Sequence, residues 1–368
     1  MRFRINPKKL IVPALNAAAI AGIIITSAAC SAFADSQNYN YVYNKWKGQS
    51  TESFSQMSCY FSEDAGFQTN MLRSIKGQFL SKLKDAAYDT DNPERLLIDS
   101  YSALIGESKV TCDITRKSNA QITAVGGDFF YFHDFELVNG CYFTEKDTMQ
   151  DGAVIDRSLA WALYGSDNIA GKNIYIDGVK CYIAGVVKDP QNKAEKKCAG
   201  KMPKAYVTYD TAERMKKTSS DTDKDGFKII TDYECVLPEP VENFGINTVK
   251  SIFKNTYNDK VSIIENSDRF SVKKRTKAFR KLWESVIRND GIRLPYWENA
   301  SRMYEYKVTV CYGIRKYLFI IPVITFLWLV SKGILAYNKN KKQLKRKVFD
   351  FIEGKINKIR TSKKGKTS

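Results

Sequence analysis

Histidine is nearly absent from this sequence: His133 is the only one in 368 residues. That count excludes histidine-rich metal sites, and His133, set among Tyr131, Phe132 and Phe135, reads as a packing or hydrogen-bonding group rather than a catalytic base. None of the eight cysteines forms a Cys-x-x-Cys pair, which removes the spacing of redox and zinc-ribbon sites. No Gly-x-x-x-x-Gly-Lys-Ser/Thr phosphate loop occurs, so the chain carries no ATPase of that kind. Acidic side chains are scarce at both ends. Residues 1–34 hold four basic and no acidic residues, residues 332–368 hold thirteen basic and two acidic, and the segment between holds 41 and 38. The net charge of +18 is therefore a property of the ends. It does not mark a nucleic-acid-binding face, and no nucleic acid is expected as a partner.

What the ends flank is hydrophobic. Leu10 to Ala34 contains no charged residue, and at about 1.5 Å per residue it is long enough to cross a hydrocarbon core of about 30 Å. A cleaved signal peptide is the rival reading, because Ala32-Phe33-Ala34 precedes Asp35 in an A-x-A pattern. A lipoprotein signal ending at Cys30 fits less well, with Ser27 where a larger aliphatic residue is usual. The second segment, Tyr317 to Tyr337, bears Trp328 and Tyr337 as interfacial aromatics and Lys332 close enough to one end to snorkel. Six basic residues between Lys339 and Lys347 follow it and outweigh Arg315 and Lys316 on the other side. By the positive-inside rule both termini are expected in the cytoplasm and the bulk of the chain outside the cell.

The outer portion alternates strand and helix patterns. Ser36 to Ser55 is a polar, tyrosine-rich lead expected to be an irregular or helical stalk. Met57, Cys59 and Phe61 alternate as a strand does, and Met71, Ile75, Phe79 and Leu83 recur at helical spacing between Gln68 and Tyr88. Val110, Cys112 and Ile114, then Ile122 and Ala124, indicate two strands. Ala153–Ile155 reads as a strand and Arg157–Tyr164 as a helix closed by Gly165. A hairpin turning at Asp177-Gly178 follows, with Ile174 and Ile176 on one arm and Val179, Cys181 and Ile183 on the other. Beyond it, Ala205 to Tyr209 is a strand, Thr211 to Lys217 a helix, Tyr233 to Leu237 a strand, Phe244 to Tyr257 a helix and Val261 to Ile264 a last strand. An apolar fraction of 43% suffices for a core. The pattern predicts an α+β extracytoplasmic domain, a porter-type lobe with a second lobe inserted, flanked by two transmembrane helices.

Several of these residues also resemble a known family. Val125-Gly126-Gly127-Asp128-Phe129-Phe130, Asn139-Gly140 with Phe143 and Asp147, Val154-Ile155-Asp156 before a helix ending in Tyr164-Gly165, Gly171-Lys172, and Ile183-Ala184-Gly185-Val186-Val187 are similar to the extracytoplasmic core domain of MacB/FtsX-type ABC transporter permeases. The resemblance implies retention of the first hydrophobic helix, a MacB-like domain plan, and function through an ABC ATPase whose work moves the membrane helices. The family's permease has two further membrane helices after the second. This short form lacks them, so the resemblance implies one subunit among others, with an ABC ATPase and an additional permease subunit as partners.

The expected organisation is a cytoplasmic N-terminus (1–9), a transmembrane helix or uncleaved signal anchor (10–34), a MacB-like core domain (35–270, central module 124–187), a helical stalk (271–316), a second transmembrane helix (317–337) and a basic cytoplasmic tail (338–368). In the stalk Phe279, Leu282, Trp283, Val286 and Ile287 form one stripe. In the tail Val348, Phe349, Ile352, Ile356 and Ile359 share a face opposite lysine and arginine, which suits an anionic lipid surface. No residues form a catalytic or cofactor-binding constellation. One metal motif stands out: Asp221, Asp223 and Asp225, with Gly226 and with Asp232 at the twelfth position, have EF-hand calcium spacing. Lys228 at position eight and a following strand weigh against it, and a flexible acidic insertion explains it as well. Cys112, Cys181 and Cys235 fall at inward strand positions as small buried hydrophobes. The function expected is a non-enzymatic, permease-like membrane subunit whose outer domain couples conformational change to a substrate or partner. The alternative is a membrane-anchored extracellular binding or sensing module with no transport role.

Overall fold

Alternating apolar residues and turn-forming glycines build most of this domain, and the computed structural model shows how they assemble. It describes residues 7–86, 88, 96–113, 116–219, 227–279 and 291–364. The chain opens with α1 (Pro7–Asp35), a 3₁₀ turn (Asn38–Tyr41), α2 (Val42–Lys47), β1 (Phe54–Phe61) and α3 (Leu72–Asp85). Next come β2 (Ile98–Cys112), β3 (Lys117–Gly127), α4 (Phe129–Phe132), β4 (Leu137–Gly140), β5 (Gly152–Asp156) and α5 (Arg157–Tyr164). The hairpin of β6 (Asn173–Ile176) and β7 (Val179–Val187) leads to α6 (Lys193–Ala199), β8 (Lys204–Thr208), α7 (Tyr209–Ser219) and β9 (Asp232–Pro238). The last elements are α8 (Phe244–Val249), which runs through a π-helical turn into α9 (Asn255–Tyr257), then β10 (Val261–Glu265), α10 (Val272–Phe279) and α11 (Tyr296–Lys364).

All ten strands join one sheet, in the order β10-β1-β9-β2-β3-β8-β5-β7-β4, with β6 pairing β2 and β7. The long strand β2 makes this possible. Its first residues, Ile98–Ser102, pair with β9, and its last, Val110–Cys112, pair with β6. The two expected lobes are thus two halves of a continuous sheet, each with its own core. Met57, Phe61, Phe67, Phe79, Tyr233 and Phe253 fill the first, under α3 and α8. Val110, Ile122, Ile155, Leu163, Ile183 and Val207 fill the second, under α5 and α7. The helix at 157–164 has the predicted bounds because both ends are coded locally. Asp156 Oδ1 accepts from the Leu159 amide at 2.8 Å as N-cap, and Gly165 takes φ +70° as the left-handed terminator.

One expectation changed, one strand was not foreseen and one stripe is not described. The lead after residue 35 is no free stalk: Gln37, Asn40 and Val42 are buried within the domain. The first half of β2, rich in Ser and Asp, was not legible as a strand. The predicted stripe at Leu282, Trp283, Val286 and Ile287 lies outside the described residues, as does Ile114.

Contacts divide the chain into Cys30–Val310, which holds the sheet, and a unit of Met1–Ala29 with Cys311–Ser368. In that second unit α1 and α11 pack side by side: Asn16 Nδ2 donates to Thr325 Oγ1 at 3.1 Å. A Cβ at Gly22 would stand 2.8 Å from Leu318 Cδ1, so the small residue permits the close approach. Leu10–Asp35 and Tyr296–Lys341 are helical stretches long and apolar enough to cross a membrane. Along Leu10 to Ile25 and Tyr317 to Tyr337 many large apolar side chains are exposed, Ile25 at 68% and Phe326 at 64%, the surface that lipid would cover. α11 continues without interruption to Lys364, leaving Val348, Phe349 and Ile352 exposed.

Candidate functional site: a buried polar layer

β9 is buried on both faces. Tyr233, Cys235 and Leu237 enter the first core, so by the two-residue period Asp232 and Glu234 point the other way. Ser58 and Tyr60 of β1 and Ser100 and Ser102 of β2 lie beside them in register. A polar sheet face of this kind must be wet or covered by partners. Here it is covered by three segments distant in sequence: the lead at 37–47, the turn after β10, and the first turns of α11.

The cover is a hydrogen-bonded network. Glu234 accepts from Ser58 Oγ at 2.8 Å and pairs with His133 Nε2 at 2.6 Å. His133 is buried against Phe129 and Trp297, both at 4.5 Å between ring centres. Asn266 Nδ2 donates to Ser58 Oγ at 2.8 Å. At the centre Arg269 makes a two-pronged pair with Glu298, Nη1 to Oε2 at 2.7 Å and Nη2 to Oε1 at 2.8 Å. Both side chains are almost wholly buried, at 2% and 1% exposed. Tyr60 OH and Arg302 Nε also donate to Glu298, while Arg269 Nε reaches Glu305 at 3.0 Å and Arg275 pairs with that same carboxylate. The lead joins through Asn40 Nδ2 to Ser301 Oγ at 2.7 Å, Gln56 Nε2 to the Tyr39 carbonyl at 2.6 Å, and the Tyr39 hydroxyl to the Trp297 carbonyl.

Electrostatics follow from burial. Burial works against the charge on Arg269, but Glu298 and Glu305 more than reverse it and its pKa is raised. Burial likewise pushes Glu305 upward, and Arg269 and Arg275 overturn that, holding its carboxyl below the usual value. Asp232 has no such cation. Burial drives it up to about 8, against a hydrogen bond from Thr231 and with Glu234 adding to the rise, and its Oδ1 has no partner.

The sign of the resulting pH dependence is fixed. An unfolded aspartate titrates near 3.9, so between about pH 4 and 8 the folded chain retains a proton that the unfolded chain releases. This contribution is complete below about pH 4 and is lost as pH rises toward 8. Asp156, pushed up to about 7 by burial, acts in the same direction over a narrower range. Asp232→Asn should remove the larger part: in denaturant melts at pH 6 and pH 8, the wild-type chain should lose about 1–2 kcal/mol more than the variant. Equal losses would show that Asp232 titrates normally.

Of the calcium candidates, Asp232 sits in this layer, and Asp221, Asp223 and Asp225 lie outside the described residues. Among the described residues no group of three or more His, Cys, Asp or Glu could hold a metal ion. Cys112, Cys181 and Cys235 are buried in the two cores as small apolar side chains. Sequence reasoning missed Arg269, Glu298, Asn40 and Gln37. A usable signal was present at the start of α11, where Trp297, Ala300, Ser301, Tyr304 and Val308 recur at helical spacing and are all buried.

Two cavities adjoin the layer. One, of about 320 Å³, runs between the lead, the β7–α6 connection with the start of α6, and Tyr296-Trp297. The other, of about 370 Å³, is lined by Asp232, Lys204, Arg293 and Trp297 among others.

Residues 17–231, more than half of the chain, match the family described as the MacB-like periplasmic core domain. The macrolide export ATP-binding/permease protein MacB of Pasteurella multocida is 28% identical over 100 residues, 27% of this chain and 15% of that protein. The chain thus aligns with less than a sixth of that curated relative's length. Among solved structures, the periplasmic region of MacB from Actinobacillus actinomycetemcomitans matches at 15% identity and a TM-score of 0.39, covering 63% of this chain and 94% of that one. The extracellular domain of the noncanonical ABC-type transporter YknZ from Gram-positive bacteria matches at 13% identity and a TM-score of 0.37, covering 57% and 99%. On the family match, the chain belongs to the MacB-like periplasmic core domain family of ABC transporter permeases.

Proposed function

We propose that this chain is a non-enzymatic, permease-like membrane subunit whose outer domain transmits conformational change between membrane helices and a substrate or partner protein. One observation carries the reading. The segment that follows α1 and the first turns of α11 are held on the same sheet face by one buried ion network centred on Arg269 and Glu298. Displacing the start of α11 would break the buried Arg269–Glu298 pair, and displacing the lead would break its buried hydrogen bonds to Ser301 and Gln56, so both segments and the sheet move together.

In this reading residues 1–9 and the basic tail 338–368 are cytoplasmic, 10–34 and 317–337 span the bilayer, 35–270 stand outside, and 271–316 connect domain to membrane. The tail's lysines and arginines contact anionic lipid. An ABC ATPase supplies the energy, and a further permease chain is its membrane partner. Purification of the full chain from its native membrane in mild detergent tests this: co-elution of an ATP-hydrolysing subunit and a multi-span permease is the expected result. Recovery of the chain alone, with no associated ATP hydrolysis, would favour the second reading, an anchored binding or sensing module. The cavities beside the layer are the observation that supports that reading.

A further inference from the structure

The cavity between the lead and the β7–α6 connection has an unusual wall. At about 320 Å³ it is at the lower end of the roughly 300–1,000 Å³ of small-molecule sites. Five aromatic rings line it, those of Tyr39, Phe135, Tyr206, Tyr296 and Trp297. Tyr206 and Tyr296 share a hydrogen bond at 3.2 Å, and Phe135 lies against Tyr206 with ring centres 5.0 Å apart, so the rings form one held surface.

The charge in the cavity is lopsided. Asp134, Glu136, Asp156, Asp189 and Glu195 face two lysines, Lys188 and Lys204. Lys188 is committed to Glu136 and Asp134 to Lys45. The Lys204 ammonium donates to the carbonyls of Ala199 at 2.9 Å and Met202 at 3.0 Å, over the ring of Tyr296. Asp156 is spent on backbone amides, those of Leu159 and Lys204. Asp189 accepts only from Ser158, at its hydroxyl and amide, and neither Asp189 nor Glu195 has an ion-pair partner among the described residues. Burial raises Glu195, and no cation opposes that. Trp297, only 4% exposed, leaves its indole N–H without a partner.

Aromatic faces attract cations through their quadrupole, and the carboxylates add direct attraction: Asp189 feels Arg157 and Lys204 only at a distance, with no close ion pair among the described residues. We infer that this cavity binds a small organic cation, an amine or quaternary ammonium group carried on an apolar body, with Asp189 and Glu195 as counter-charges and the aromatic wall as its cage. The unpaired indole N–H of Trp297 would donate to an acceptor on the same ligand, such as an ether or carbonyl oxygen. The inference does not need the coupling role, since a cage of this kind works equally in a transporter or in a sensor.

Calorimetric titration of the full chain in detergent with benzyltrimethylammonium, benzyl alcohol and phenylacetate distinguishes the ligand classes. The cation should bind about tenfold or more tightly than the neutral and anionic probes. Combined Asp189→Asn and Glu195→Gln substitution, which removes both charges and keeps an acceptor oxygen for the Ser158 and Asn192 hydrogen bonds, should weaken the cation about tenfold and leave the neutral probe unchanged. Equal binding of all three probes, no binding of the cation at millimolar concentration, or full affinity in the double variant would overturn the inference. A co-purifying ATPase bears only on the coupling role, so the two readings fail separately.

Discussion

Replacing Glu298 by alanine should destabilise the outer domain by about 3–5 kcal/mol, because it leaves Arg269 buried, charged and without its two-pronged acceptor. The magnitude follows from the asymmetry of buried ion pairs. An intact pair gains little net stability, since desolvation cancels most of the attraction, but removing one partner leaves the whole desolvation cost of the other. Arg269 is 2% exposed at its side chain and cannot turn to water. Its remaining carboxylate, Glu305, is shared with Arg275 and reaches only Nε. Tyr60 and Arg302 would lose acceptors as well. The double variant Arg269→Met with Glu298→Leu removes both charges and should recover at least half of the loss when both are compared by denaturant unfolding. A single variant costing under about 1 kcal/mol would mean that water already reaches the pair.

Gly140→Ala is the second large effect. Gly140 has φ +80° and pairs with Gly185 of β7. A Cβ there would lie 2.2 Å from the Ala184 carbonyl oxygen and 3.0 Å from Gly185 Cα, backbone atoms that cannot swing aside. The left-handed conformation costs an alanine about 1–2 kcal/mol, and forced overpacking adds about 1–3 kcal/mol. The total is about 2–5 kcal/mol, expressed as detachment of β4 from the sheet edge. Gly171, with φ +84° and nothing within 4 Å of its Cβ position, is the control. Gly171→Ala should show only the conformational part, and equal losses in the two variants would remove the crowding argument.

Gly140 also shows what the sequence could convey. Some residues that carry the family resemblance have local physical jobs: Asp156 caps the start of α5 and Gly165, at φ +70°, ends it; Asp177-Gly178, outside the resemblance, makes the hairpin turn. Such jobs are visible because they depend on near neighbours, so β5, α5 and the β6–β7 hairpin were legible, whereas α4 was not and Asn139-Gly140, which reads as a turn, is the end of strand β4. The polar layer was not. Asn40 meets Ser301, and Ser58 meets Asn266, across separations that no periodicity spans. Asp232, Glu234 and the serines of β2 alternate with apolar residues as a half-exposed strand would, and only the distant lead and α11 decide that their face is dry. The lead was taken for a stalk for the same reason: its polarity signals water until its partners are in view. The charge distribution was legible because it is a property of whole segments, and the two apolar helices stand where it pointed.

The central claim is that the segment after α1 and the start of α11 are fastened to one sheet face as a single unit. Hydrogen–deuterium exchange of the intact chain in detergent measures that fastening directly. In the wild-type chain, amides at 40–47 and 298–310 should exchange about as slowly as those of β1 and β9. In Glu298→Ala both segments should accelerate together, about a hundredfold for a loss near 3 kcal/mol, while β5 and β7 stay slow. Fast exchange at 298–310 in the wild-type chain, or acceleration of one segment without the other, would contradict the account.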